Sequence, residues 1–325
     1  MSRGSQSNAT LEAGASSKLA LMAGNDMRFL LRENVLRLAL GIFVVMAIAS
    51  SYISWSSQTI LTTMYQEAIT MIPPGSPVPP FPLSQAPALA ILKNMIIYVV
   101  LIGSLLAIIL GHIIGTRDRK AKTLRVLFSR PITRGDFFLA KVAALASSLG
   151  LITFFALLTT LVSLVILNKT FSVAWLGNLF LFYVVSYVFM LGFGLLALGF
   201  GLREQRSAQA LLIPMILWIV VIFALPELGS ALFPTGSLNP ILPPTDVLQS
   251  PALQFIHKIV YPFSVSEQYK ALSSSLIDIN VPTGVGSITY SRWLEASLLV
   301  LWSVFTFSLA YYFASRLEVS RDTYE

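Results

Sequence analysis

Six stretches of this chain are each apolar over about 20 residues, the length a helix needs to cross a hydrocarbon core. They run from Leu36 to Trp55, Ile91 to Ile114, Val142 to Leu167, Leu176 to Leu202, Ala208 to Leu225 and Leu294 to Ala314. In lipid the backbone must satisfy its polar groups within the segment, so these stretches specify helices. The expectation is an all-α integral membrane protein with six transmembrane helices. A composition of 55% hydrophobic and 11% charged residues, with a mean hydropathy of +0.76, excludes a soluble domain of 325 residues.

Orientation follows from lysine and arginine in the short loops, because positive charge stays cytoplasmic during insertion. The N-terminal flank carries Arg28, Arg32 and Arg37. The second loop carries Arg117, Arg119, Lys120, Lys122, Arg125, Arg130, Arg134 and Lys141, the fourth Arg203 and Arg206, and the tail Arg316 and Arg321. The first loop, Ser56 to Ala90, has no Lys or Arg, and the third has only Lys169. Both termini are therefore expected in the cytoplasm (N-in, C-in), and the location is the plasma membrane. The net charge of +7 sits beside spans, which points to topology and anionic lipid rather than nucleic acid.

Between and around the spans the chain divides further. Residues 1–25, rich in Ser, Ala and Gly, read as a disordered cytoplasmic tail; 26–314 form the six-span domain and 315–325 a second cytoplasmic tail. Asp26 to Val35 places apolar residues at helical spacing among charges, so it is either an interfacial helix or an extension of the first span. The proline-rich run from Met71 to Pro82 reads as an exposed extended connector. The outer segment 226–291 is the largest piece outside the membrane. Within it Leu248, Leu253, Ile256, Ile259 and Val260 suit a short helix on the outer surface, either as a cap or docking face or as a packed connecting loop. Small residues Gly194, Ala197 and Gly201 mark a close helix contact, within the chain or between subunits.

Several chemistries are excluded by what is missing. There is no cysteine, so neither disulfides nor thiolate metal sites can form. No Asp or Glu lies deep in a span, against ion-coupled transport and intramembrane aspartyl proteolysis. His112 and His257 are too few for a histidine metal cluster, and His112 is expected to be hydrogen-bonded or interfacial. Lys93 and Glu295 are placed to pair between the second and sixth spans. No Gly-Lys dipeptide occurs, so the phosphate-cradling loop of ATPases is absent and the chain is expected not to hydrolyse ATP itself.

The second loop carries the one pattern with mechanical content. As a helix from Arg117 to Arg130 it would place Ala121, Leu124, Leu127 and Phe128 on one face, with Asp118, Lys122, Arg125 and Ser129 facing the cytosol. Pro131 would end it, and Thr133-Arg-Gly-Asp136 supplies a capping box for the next helix. The run Lys122-Thr-Leu-Arg-Val-Leu-Phe-Ser-Arg-Pro-Ile-Thr-Arg-Gly-Asp-Phe-Phe-Leu-Ala-Lys141 resembles the cytoplasmic signature of ABC-2 type permeases. In that signature Gly-Thr-Leu, Ser-x-Pro, Ser/Thr-Arg and a terminal Gly-Lys separate the second and third spans.

The resemblance implies that the segment is an amphipathic coupling helix seated on a separate ABC ATPase subunit. Lys122, Arg125 and Arg130 would then be charged contacts, Leu124, Leu127 and Phe128 anchors, and Pro131 the break. It implies ATP and Mg on that partner, no cofactor on this chain, and a second permease protomer, identical or related, in a lipid bilayer. The sequence departs from the signature at Lys122, where glycine is usual, and leaves Asp118 as the sole candidate for an upstream acid. The function so implied is the permease subunit of an ATP-driven exporter. The alternative is a membrane scaffold that uses ATPase movement to assemble or mature an extracytoplasmic partner.

Overall fold

The computed structural model describes residues 19–73, 81, 88–129, 132–167, 173–204, 206–226, 255, 258–277 and 291–317, and among these every regular element is helical. Helix α1 (19–32) precedes α2 (Val35–Thr70), α3 (Leu89–Lys120), the five-residue α4 (Leu124–Phe128) and α5 (Arg134–Leu167). Then come α6 (Val173–Arg203), α7 (Ser207–Ala224), α8 (Val265–Leu276) and α9 (Arg292–Ser315). Six of them, α2, α3, α5, α6, α7 and α9, are long and apolar enough to cross a membrane, and they contain the six stretches expected, save the terminal Leu225.

Their ends differ from the apolar stretches for local reasons. Helix α2 runs 36 residues, about 54 Å, and so overshoots a 30 Å hydrocarbon core by roughly 15 residues. That extension is polar in composition, yet Ser57, Thr59, Thr62 and Thr63 each return their hydroxyl to the carbonyl four residues back and leave the helix unbroken. It ends just before Pro73-Pro74, where the ring would clash with the preceding turn. Helix α1 begins at residue 19, inside the stretch expected to be disordered. A turn with Asn34 at φ 60° separates it from α2, so it is a distinct helix and not an extension of the span. Asparagine tolerates that left-handed conformation better than most residues.

Helix α6 is the hub, packing most extensively on α3 and α9. Two glycine pairs, each spaced seven residues apart, explain how. Gly194 and Gly201 face α3, while Gly192 and Gly199, offset by two residues and therefore by about 200° on a helix, face α9. A Cβ on Gly111 of α3 would lie 2.1 Å from the Gly194 carbonyl oxygen, and one on Gly115 2.8 Å from that of Leu198. The two backbones touch, and nothing larger than hydrogen fits. On the other face a Cβ at Gly199 would meet the Ala310 backbone at 2.9 Å. The Gly194, Ala197 and Gly201 stripe is thus used within the chain, with Ala197 fully buried. Its partner, Gly111-x-x-x-Gly115, is a small-residue motif of the same kind that the sequence reading passed over.

Helices α3 and α7 each contain a π turn, Val99–Gly103 and Val220–Ala224. Such turns misalign carbonyls, and side chains from neighbouring helices meet them. Ser266 of α8 donates to the Val221 carbonyl at 3.3 Å, and Trp218 donates to Ser104 Oγ at 2.6 Å beside the first π turn.

Helix α8 lies C-terminal to the residues expected on a surface helix, and it is buried within the bundle. Tyr269 is fully buried, stacks on Phe189 with ring centroids 4.5 Å apart, and shares a 2.8 Å hydrogen bond with Ser186. Ser186 lies about 20 Å along α6 from Val173, so α8 is inserted between the spans. Of the residues expected on that surface helix, Ile259 is half exposed, and Leu248, Leu253 and Ile256 lie outside the described residues. The Lys93–Glu295 pair does not form. Lys93 is exposed, whereas Glu295 is buried and accepts a 3.4 Å hydrogen bond from Tyr261 Oη. His112 is buried, with Nε2 3.5 Å from Ser207 Oγ.

Candidate functional site

The second loop is two elements where one helix was expected. Helix α3 continues through Arg117, Asp118 and Arg119 to Lys120, and a turn follows in which Thr123 N donates to the Asp118 carbonyl at 3.0 Å. Lys122 sits at the reversal with φ 55°. A left-handed residue ends a helix, and glycine is the residue that adopts it without steric cost. Glycine is what the ABC-2 signature carries at this position, so the departure at Lys122 keeps the conformation and gives up the residue suited to it.

Helix α4 then lies against the bundle. Leu124 is 3% exposed, and Leu127 and Phe128 are half-buried, with the Phe128 ring 5.6 Å from Phe137. These are the three residues for which an anchoring role was expected, and the structure places each of them against the bundle. Ala121, assigned to the same face, is exposed because it belongs to the turn. Lys122 and Ser129 are exposed as expected, and Val126 joins them at 65% exposure. The side chain of Arg125, and Arg130 and Pro131 entirely, lie outside the described residues. Helix α5 opens on the predicted capping box, with Asp136 N donating to Thr133 Oγ1 at 3.0 Å and Thr133 N to Asp136 Oδ2 at 3.4 Å.

Asp118 is corrected most sharply. Expected to face the cytosol, it is 9% exposed and lies 2.5 Å from Lys141 Nζ, while its Oδ1 takes the Thr123 hydroxyl at 3.4 Å. The cause is the helix boundary: the residue sits on the last turn of α3, and that turn packs inward. Lys141, 2% exposed, also reaches both oxygens of Asp26 in α1, at 2.8 and 3.0 Å. Arg117 completes the group by pairing with Asp26, its guanidinium 4.4 Å above the Phe29 ring. Two acids and two bases from α1, α3 and α5 thus close a charge-balanced network beneath α4. A buried charge is tolerable only when paired and hydrogen-bonded in this way.

Sequence reading missed Asp26, Arg117 and Lys141 as a site. The available signal was Lys141 itself, a cation about 10 Å into an otherwise apolar helix, where an unpaired ammonium would be costly. Two further arginines tie helix ends at this side of the molecule. Arg119 donates to the carbonyls of Leu202, at 3.0 Å, and Glu204 at the end of α6, and Arg134 donates to the Ser315 carbonyl that ends α9.

Among the described residues there is no group of three or more His, Cys, Asp or Glu able to hold a metal ion. No curated protein sequence matches the chain. The family described as ABC-2 family transporter protein matches residues 22–318, from α1 to the end of α9. With six apolar helices and the second-loop signature in place, the chain belongs to the ABC-2 transporter family and is a multi-pass membrane component of such a transporter.

Proposed function

We propose that this chain is the permease subunit of an ATP-driven exporter, with its basic end in the cytoplasm, both termini there, and the plasma membrane as its site. ATP is hydrolysed on a separate ABC ATPase subunit, which α4 and the turn before it engage. Two permease protomers enclose the path.

The observation that carries this reading is the way α4 is attached. Leu124 plugs it into the bundle, and Thr123 links its first turn to Asp118, which Lys141 ties to Asp26. A displacement of α4 therefore loads α1, α3 and α5 together, which is what a rigid-body switch driven from outside the membrane requires. Lys122, Ser129 and Val126 present the opposite side for contact. The absence of a Gly-Lys dipeptide supports placing the nucleotide, with its Mg, on the partner.

The test combines Val126→Asp with Arg125→Glu and Arg130→Glu in the full chain, co-expressed with a candidate ABC ATPase subunit. Co-purification of the ATPase is expected to fall at least tenfold while the helical circular dichroism is retained. Unchanged co-purification and unchanged ATP-dependent flux in proteoliposomes would remove α4 from the coupling role. Unmutated complex that hydrolyses ATP without moving any lipid, peptide or glycan substrate would favour the scaffold reading, for which the outer segment 226–291 is the candidate working surface.

A further inference from the structure

At the basic end, α3, α6, α7 and α9 meet around a cavity of about 580 Å³. Its wall carries Arg119, Arg203, Arg206 and Arg316, with Glu204 as the single acid among the lining residues. Such an excess of one sign in a concave site focuses its field on an anion. The arginines are also held in place. Arg119 is fixed by its bonds to the Leu202 and Glu204 carbonyls. The Arg203 guanidinium lies 4.9 Å over Phe313, and that of Arg316 4.5 Å over Tyr312. A guanidinium held over an aromatic ring has less freedom to lose when its donors recognise a multi-oxygen anion in forked fashion. Glu204, 3.4 Å from Arg203, offsets one of the four charges.

We propose that this cavity binds the phosphate group of an anionic phospholipid. The argument is one of position and lining together. Arg203 and Ser315 end their spans and Ser207 begins one, so the arginines stand at the level where headgroup phosphates lie. Leu202, Phe313 and Leu317 supply an apolar wall toward the bundle, which suits the glycerol and first acyl carbons. A soluble phosphate compound shares the recognised chemistry and lacks the apolar part. The site involves none of the α4 contacts. Only the identity of the leaflet rests on the orientation proposed above.

The experiment places full-length protein in phosphatidylcholine nanodiscs with and without phosphatidylglycerol and counts retained lipids by native mass spectrometry. Replacing Arg203→Gln and Arg316→Gln together is expected to lower phosphatidylglycerol occupancy at least tenfold. Arg32→Gln with Arg37→Gln removes the same charge from exposed positions outside the cavity and is expected to change nothing. Arg203→Lys with Arg316→Lys keeps the charge but not the fork, and is expected to lose occupancy severalfold. Retention equal to that of the native protein in both cavity variants overturns the site, and equal loss in the Arg32/Arg37 control reduces it to general charge attraction. Inorganic phosphate titrated into pure phosphatidylcholine discs separates the sources. Saturable binding that is abolished by the Gln pair, without phosphatidylglycerol enrichment, overturns the lipid and leaves a soluble phosphate as the ligand. Retained lipid is blind to leaflet and to ATPase, so these failures are distinct from failure of the coupling role.

Discussion

Two contacts hold the helices in register, and they work by opposite means. Between α3 and α6 the backbones touch because four glycines carry nothing to keep them apart, whereas at the basic end α1, α3 and α5 are joined by fully paired charges. The first contact is short-ranged and rigid; it has one geometry and fails if a methyl is added. The second consists of paired side chains that reach one another from three helices. In the coupling role proposed above, the seam would move as a unit and the joint would carry the load.

The comparison is broken most severely at Gly111. Gly111→Leu places a side chain where even a Cβ would stand 2.1 Å from a backbone oxygen, and neither helix can yield locally. Overpacking costs typically 1–3 kcal/mol where side chains can shift, and here they cannot. The expected outcome is loss of monodisperse folded protein, measured by fluorescence-detected size exclusion. A variant that eluted and melted like the native protein would refute the backbone contact.

Second in size is the charged joint. Lys141→Met leaves Asp118 without its cation and Asp26 with Arg117 alone, a change that costs about 3–5 kcal/mol when a buried pair loses one partner. Thermal unfolding in detergent measures it. Adding Asp118→Asn should restore a substantial part, since the stranded charge is then removed. No recovery in the double variant would mean that Lys141 acts through packing and not through its charge.

Legibility in the sequence follows the same division. The six spans were readable because lipid enforces helix over every long apolar run, and the capping box because Thr133 and Asp136 are local partners. The joint was not readable. Asp26, Arg117, Asp118 and Lys141 come from three helices, and charges near a membrane are ordinarily explained by orientation alone. The split of the loop into α3 and α4 was hidden for another reason: Lys122 occupies a left-handed position that a glycine would have advertised. The depth of α8 was hidden because a helix with buried Ser266, Gln268 and Ser273 looks from sequence like one meant for water. The glycines of α6 were visible, but which face each pair served depended on the position of its neighbours.

Lys122 gives the third and smaller effect, with the opposite sign. A non-glycine residue at positive φ is strained by about 1 kcal/mol, so Lys122→Gly should stabilise the fold by up to that amount, less the extra chain entropy of glycine. Thermal unfolding of the isolated permease reads the gain. A destabilised Lys122→Gly protein would show that the lysine makes contacts that outweigh its backbone strain.

The smallest expected change is the most useful control. Gly41 in α2 has nothing within 4 Å of where a Cβ would stand, and it sits on a face with Leu38, Val45 and Ile48, all at least half exposed. If glycine matters in these helices only where a neighbour touches it, Gly41→Ala should be neutral or stabilising by up to about 1 kcal/mol, from helix propensity alone. The same exchange at Gly111 should be severe, so the pair isolates contact from composition. Thermal unfolding of the monomer is the first measurement, and crosslinking in liposomes the second. A neutral monomer whose protomer crosslinking is lost on Gly41→Leu would place the second protomer against α2. A destabilised monomer would show instead that this face is already occupied within the chain, and the distinction drawn between contacted and open glycines would fall.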